Sequence, residues 1–197
     1  HVVTINQGLG TVRQVSCGHE HTCVVMTDRR VLCTGDNHVG QLGLGDTDDR
    51  LALQEVGDGS FRADVIETGG VHTCVITEGV VYCWGYNGNA ELGQGSTANA
   101  HSPQPVAWLG NSVQEVTCGY HHCCARLPDR WACWGDNFFG SLGLGDTNDR
   151  GASPATATLD QTTIIKWTSA SSTTTGSTST TIASTSTTTN TPATTVA

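Results

Sequence analysis

Short apolar runs alternate with Gly-rich polar stretches along this chain, and the alternation itself recurs. In one copy, Val75-Ile76 and Val80-Val81-Tyr82 flank Glu78-Gly79. Two brief β-type runs around a Gly-containing pair predict a β-hairpin. With Glu78 and Gly79 as the loop, 77 faces 80, 76 faces 81, 75 faces 82, and Cys74 faces Cys83. Cysteines directly opposite on adjacent antiparallel strands are placed to form a disulfide. The same count sets Cys124 opposite Cys133 around Pro128-Asp129. The first copy, Cys23 to Cys33, is one residue longer and predicts a three-residue loop or a bulge at Asp28.

An extended run precedes each hairpin: Val12 to Cys17, Ala63 to Thr68, and Val113 to Cys118. A Gly-punctuated loop follows each one, Gly35 to Gly45 in the first copy, with Leu42 as its apolar plug. Thr162 to Ser169 fits the first-strand slot a fourth time, Ile164 matching Val113 and Trp167 matching Val116. Gly35, Gly85 and Gly135 fall 50 apart, and so do Asn37, Asn87 and Asn137, and Leu42, Leu92 and Leu142. A period of this size predicts an all-β repeat array of the propeller type: three full repeats plus one strand, an incomplete ring, followed by an extended non-globular tail. The repeat domain spans 1–167, with units at about 12–62, 63–112 and 113–161 and a partial unit at 162–169; the tail spans 168–197.

Recurrence gives single residues an architectural meaning. His21, His72 and His122 stand at one position of the repeat, where an imidazole bonding backbone groups beside a turn is favoured over metal ligation. Trp84 and Trp134 follow a hairpin cysteine and are expected to cover the disulfide, while the first copy has Thr34 there. Loops 46–49 and 146–149 cluster oxygen ligands on Asp46, Asp48, Asp146 and Asp149, a secondary candidate for Ca²⁺. The second copy, Ser96-Thr97-Ala98-Asn99, lacks carboxylates, and the spacing is not that of an EF-hand. No other cofactor is expected, and no nucleophile elbow, phosphate loop or paired-carboxylate constellation suggests an enzyme.

Nine cysteines in 197 residues point to an oxidising compartment, and hence to an extracellular or cell-surface location. Cys17, Cys118 and Cys123 remain after the hairpin pairs, so at least one thiol is free or bonded outside the chain; a buried free thiol and an intermolecular tether both stay open. The net charge is −9 and Lys166 is the sole lysine, which disfavours nucleic acid as a partner. No apolar run reaches the length of a membrane span. The chain begins at His1, as a processed chain or a piece of a longer one would.

From about Thr168 the composition shifts to Ser and Thr, 21 of the last 30 residues, with no charge. Such tracts read as O-glycosylated stalks. The globular part has no Asn-X-Ser/Thr sequon, so the candidates for sugar are Thr173, Thr174, Thr175, Thr180, Thr181, Thr187, Thr188, Thr189, Thr194 and Thr195. Crowded glycans would hold this tail extended.

The runs His72 to Gly95 and Cys123 to Asp146 resemble the repeat of the regulator of chromosome condensation family: a Gly-x-x-His-Thr segment, a hairpin, Trp-Gly-x-Asn, and Gly-Gln-Leu-Gly-x-Gly. The resemblance implies a β-propeller, generally of seven blades. The added cysteine pairs resemble secreted relatives rather than the nuclear exchange factor. Three repeats and a strand cannot close such a ring, which leaves further chain, several chains together, or an open arc. The first expectation is therefore an extracellular structural glycoprotein, self-associating as a filament or coat subunit. The second is a secreted or surface module binding an extracellular protein or glycan on its loop face. A guanine-nucleotide exchange factor comes third. The orphan strand, 162–169, is expected to dock on a sheet edge of this chain or of a neighbouring subunit, and the latter contact would propagate a filament.

Overall fold

In the computed structural model, residues 10–151 are described; the strand expected at 162–169 and the Ser/Thr-rich tail lie outside the described residues. The described chain is all-β apart from one 3₁₀ turn at Ala107–Leu109. Blade 1 is a four-stranded antiparallel sheet of β1 (Val12–Cys17), β2 (His21–Met26), β3 (Val31–Gly35) and β4 (Arg50–Glu55). Blade 2 repeats it with β5 (Val65–Thr68), β6 (His72–Thr77), β7 (Val80–Gly85) and β8 (Ala100–Pro105). Blade 3 comprises β9 (Glu115–Cys118), β10 (His122–Arg126) and β11 (Trp131–Gly135), and Arg150 bridges to Gly135 where a fourth strand starts in the other blades.

Hairpin register follows loop length. Thr77 pairs Val80 around Glu78 (φ 52°) and Gly79 (φ 80°), a two-residue turn with both central residues left-handed. Glu78 is an unusual occupant there, and its N–H donates to Asp64 Oδ2 at 3.0 Å. In blade 1 the Met26 N–H donates to the Arg30 carbonyl across a three-residue loop that ends on Arg29, with φ 70°. That extra residue keeps Cys23 opposite Cys33, just as Cys74 faces Cys83 and Cys124 faces Cys133.

The fourth strands β4 and β8 have no counterpart in the sequence reading. β4 (Arg50–Glu55) lies at the edge of its sheet with Leu51 fully exposed, and β8 (Ala100–Pro105) carries two prolines, which a sheet accepts only at an edge. Neither shows the apolar alternation of a half-buried strand.

The core lies between blades. One cluster joins Cys23, Val25, Cys33 and Leu42 of blade 1 to Ile66, Val75 and Trp84 of blade 2. A second joins Cys74, Ile76, Cys83 and Leu92 of blade 2 to Val116, Ala125, Ala132 and Trp134 of blade 3. Period-two alternation makes this possible, since each sheet offers one apolar face to either neighbour.

Candidate functional site

The recurring columns of the repeat build the junctions. The imidazoles of His21, His72 and His122 lie where a Cβ on Gly18, Gly69 or Gly119 would sit, so the Gly-x-x-His spacing is a packing requirement. Each indole serves the preceding repeat: Trp84 Nε1 donates to the Gln41 carbonyl at 2.9 Å and Trp134 Nε1 to the Glu91 carbonyl at 2.8 Å. Both indoles are fully buried beside the disulfide of the preceding blade, rather than covering the disulfide of their own. Asn37, Asn87 and Asn137 stitch their loops shut; each Oδ1 accepts the N–H of the Leu five residues on, at 2.9 Å.

The copy-specific columns converge on the loop face instead. Positions 19, 70 and 120 are equivalent and are linked by backbone bonds across the blades, His19 N–H to the Gly70 carbonyl and Gly70 N–H to the Tyr120 carbonyl, both 2.9 Å. A side chain at position 70 would strike the Tyr120 ring, so Gly70 clears a floor between His19 and Tyr120, whose rings meet edge-on at 5.7 Å. Tyr120 also contacts the His121 ring at 4.6 Å, and His121 contacts Tyr86 at 6.1 Å. These rings, with His38, Glu20 and Asp36, line an open cavity of about 260 Å³.

Carboxylates organise it. His38 Nδ1 lies 2.6 Å from Asp36 Oδ2, which also accepts from Gln41 Nε2 at 2.6 Å. Beneath His121 sits Glu91, fully buried, with Oε1 3.1 Å from His121 Nδ1 and Oε2 accepting the Asn89 N–H at 2.8 Å. Burial raises the Glu91 pKa, against the pull of its hydrogen bonds and of His121. The equivalent residues are Gln41 in blade 1 and Ser141 in blade 3. In the third loop, Phe138 and Phe139 are exposed by 69% and 90% and pack edge-on at 4.8 Å. The site is thus an aromatic and imidazole cleft rimmed by negative charge, chemistry suited to holding a cation.

The predicted residues fall elsewhere. Cys23–Cys33, Cys74–Cys83 and Cys124–Cys133 are disulfides, each within one blade. Cys118 and Cys123, read from sequence as thiols open to an intermolecular bond, are instead bonded to each other. They stand opposite across β9 and β10, in the first hairpin of the blade, where the other copies have no cysteine pair. Cys17, at the position equivalent to Cys118, faces Thr22 and so stays an exposed free thiol. Asp46 and Asp146 close their own loops, accepting the N–H of Asp48 and Asn148 and pairing with Arg50 and Arg150 at 2.6 and 2.8 Å. Those backbone bonds and then the arginines lower both pKa values, and Ca²⁺ there would have to displace a guanidinium. Asp49 and Asp149 accept the N–H of Asn37 and Asn137, and Asn99 does the same for Asn87 in the copy without carboxylates.

Of the histidines, His21 Nε2 meets Thr73 Oγ1 of the next blade at 3.0 Å, and His72 Nε2 meets Cys123 Sγ at 3.1 Å. The partners are side chains of the next repeat, not the backbone expected from sequence. Burial lowers their pKa values to about 4 and about 3, so both are neutral. His72, Cys74, Cys118 and Cys123 place one nitrogen and three sulfurs within 4.8 Å of one another, the donor set of a Cys₃His metal site. All three sulfurs are in disulfides, and a metal needs thiolates.

His19, Glu20, Tyr86, Glu91, Tyr120 and His121 were not singled out from sequence. The available signal was the set of columns where the three copies disagree within an otherwise fixed frame, such as His19/Gly70/Tyr120 and Gln41/Glu91/Ser141.

Residues 78–126 match the model of the regulator of chromosome condensation (RCC1) repeat, and residues 12–41 match a second model of that repeat. The chain is similar to the ultraviolet-B receptor UVR8 of Arabidopsis thaliana, 36% identical over 67 residues, which are 34% of this chain and 15% of that protein. Among solved structures, yeast RCC1 (Prp20) bound to Kap60 superposes with a TM-score of 0.64 at 20% identity, covering 75% of this chain and 37% of that one. Prp20p from Saccharomyces cerevisiae, described with its binding to Gsp1p and histones, gives 0.65 at 21% identity, covering 74% and 38%. These likenesses give the described blades the propeller-type architecture of RCC1 repeats; the chain spans well under half the length of each relative.

Proposed function

We propose that this chain is a disulfide-stapled, extracellular protein-binding module whose loop face receives basic side chains of a partner. The observation carrying the reading is the cleft of His19, Tyr86, Tyr120 and His121, bordered by Glu20 and Asp36 and underlain by buried Glu91. Apart from Asp36, which recurs as Asp136, each group sits in a copy-specific column, so none of these others is needed to build a blade. A net charge of −9 adds long-range attraction for a basic surface. Four disulfides within the described residues support an oxidising compartment. The test is titration with an Arg-rich peptide and an acidic peptide of equal length, followed by fluorescence or calorimetry. The basic peptide binds, and Tyr120→Ala weakens it by ~2–30-fold, the range of a cation–π contact. Equal binding of both peptides, or no effect of Tyr120→Ala, contradicts the reading.

The structural-glycoprotein reading is retained for the chain as a whole because Cys17 offers an exposed thiol for a covalent tether. In that reading the Thr-rich tail is O-glycosylated. Disulfide-linked oligomers that vanish with Cys17→Ser, and a mass lowered by β-elimination, are its expected outcomes.

A further inference from the structure

Two disulfides face each other across the junction of blades 2 and 3. Cys74–Cys83 lies on the face of blade 2 that meets blade 3, and Cys118–Cys123 on the facing side of blade 3. Cys123 Sγ is 3.8 Å from Cys74 Sγ, sulfur-to-sulfur contact, and 3.1 Å from His72 Nε2. The Cys118–Cys123 bond is not part of the repeat. Its equivalents are Cys17 with Thr22 and Thr68 with Thr73, and blades 1 and 2 form without a bond there. The fold therefore tolerates an open pair at this position. Cys118 is half-buried at the end of its strand, whereas Cys74, Cys83 and Cys123 are fully buried.

We propose that Cys118–Cys123 is a thiol-exchange site, opened at Cys118 by an external thiol and passed inward to form a Cys74–Cys123 bond between blades. An incoming thiolate attacks the Cys118 sulfur, the accessible one; the S–S bond breaks, and Cys123 leaves as thiolate. The His72 Nε2–H, on an imidazole that burial keeps neutral, donates to the departing sulfur. The Cys123 thiolate attacks Cys74 Sγ, and the Cys74–Cys83 bond breaks as Cys83 leaves and takes up a proton. At this stage the protein carries Cys118 as a mixed disulfide, the new Cys74–Cys123 bond and a Cys83 thiol. Two disulfides became two, with one external thiol consumed and no net electron transfer. If the external agent is a dithiol, its second thiol releases Cys118 as a free thiol. The agent leaves as its own disulfide, a two-electron reduction of the protein. Two staples within blades are thereby replaced by one bond across the junction of blades 2 and 3, the junction that Glu91 and His121 also bridge.

The experiment is non-reducing peptide mapping after brief exposure of the full chain to a limiting small dithiol, with a chelator present and thiols trapped by alkylation at acid pH. The expected products are alkylated Cys83 and Cys118 and a Cys74–Cys123 cross-linked peptide, with Cys17 labelled before and after. Alkylation of both Cys118 and Cys123 with Cys74–Cys83 intact overturns the proposal, and so does opening of Cys74–Cys83 while Cys118–Cys123 persists. Cys118→Ser, which leaves Cys123 a permanent thiol, should label Cys83 at least tenfold more without any dithiol than the Cys118→Ser/Cys123→Ser double variant does. Equal labelling of the two variants contradicts the transfer step, and if either variant fails to fold the wild-type map decides alone.

Discussion

The two described blade junctions share one packing plan but differ in the chemistry that crosses them. Around the buried histidine between blades 1 and 2 the polar contacts are made by hydroxyl, amide and carbonyl groups: His21 with Thr73, Ser16 with Thr68 at 2.9 Å, and Thr73 Oγ1 donating to the Gln41 carbonyl at 2.9 Å; elsewhere on this junction the partly exposed Arg29 and Asp64 form an ion pair at 2.9 Å. Between blades 2 and 3 the same slots hold sulfur and a carboxylate: His72 with Cys123, Cys74 against Cys123, and Glu91 under His121. The indole, the loop leucine and the Gly under each histidine stay fixed in both. Apolar shape is what lets one blade seat on the next. Polar identity is left free to specialise, and the second junction has used that freedom.

The largest expected effect tests the shared part. Trp84→Ala and Trp134→Ala each remove a fully buried indole and its hydrogen bond to a loop carbonyl, so each should cost about 3–5 kcal/mol. Urea unfolding measures both. Costs differing by more than ~2 kcal/mol would break the equivalence of the two packing plans.

Acid is the next lever. His21 and His72 have folded pKa values, about 4 and about 3, below the unfolded 6.5, so the unfolded chain binds protons that the fold excludes. Their contribution is complete above pH 6.5 and falls as pH drops, by up to about 1.4 kcal/mol per unit for each histidine, until the folded pKa is reached. Glu91 has the opposite sign. Its raised pKa makes the folded state bind a proton first, which offsets part of the loss at the second junction. His21→Gln should flatten the stability profile between pH 6.5 and 4, and an unchanged slope would contradict the buried neutral imidazole.

A smaller effect sharpens the contrast. Thr73→Val leaves His21 and the Gln41 carbonyl without that hydroxyl, at about 1–3 kcal/mol. Thr73→Cys copies the residue of the second junction and should cost less than Thr73→Val, as read from the same unfolding curves. The reverse order would mean that sulfur cannot stand in for oxygen beneath this histidine.

Much of the frame was legible in the sequence because it repeats. Counting outward from Glu78-Gly79 gives the register of β6 on β7, and the 50-residue step marks the Gly, Asn and Leu that shape each loop. The edge strands were not legible: Arg50–Glu55 and Ala100–Pro105 bury little and so carry no apolar period. Cys118–Cys123 was missed for another reason, since it joins strands across the first hairpin of a blade, where the other copies have Thr on one or both sides. The cleft was not legible for the reason that the frame was: His19, Tyr86, Tyr120 and His121 do not recur from copy to copy.

The central claim is that a module built from fixed columns recognises its partner through the variable ones. Histidine-ring NMR of the full chain during titration with an Arg-rich peptide tests it most directly. The account predicts that the exposed rings of His19 and His38 and the half-buried ring of His121 shift together and saturably, weakening with salt, while buried His21 and His72 stay still. Saturable binding that leaves His19 and His121 unmoved would contradict it.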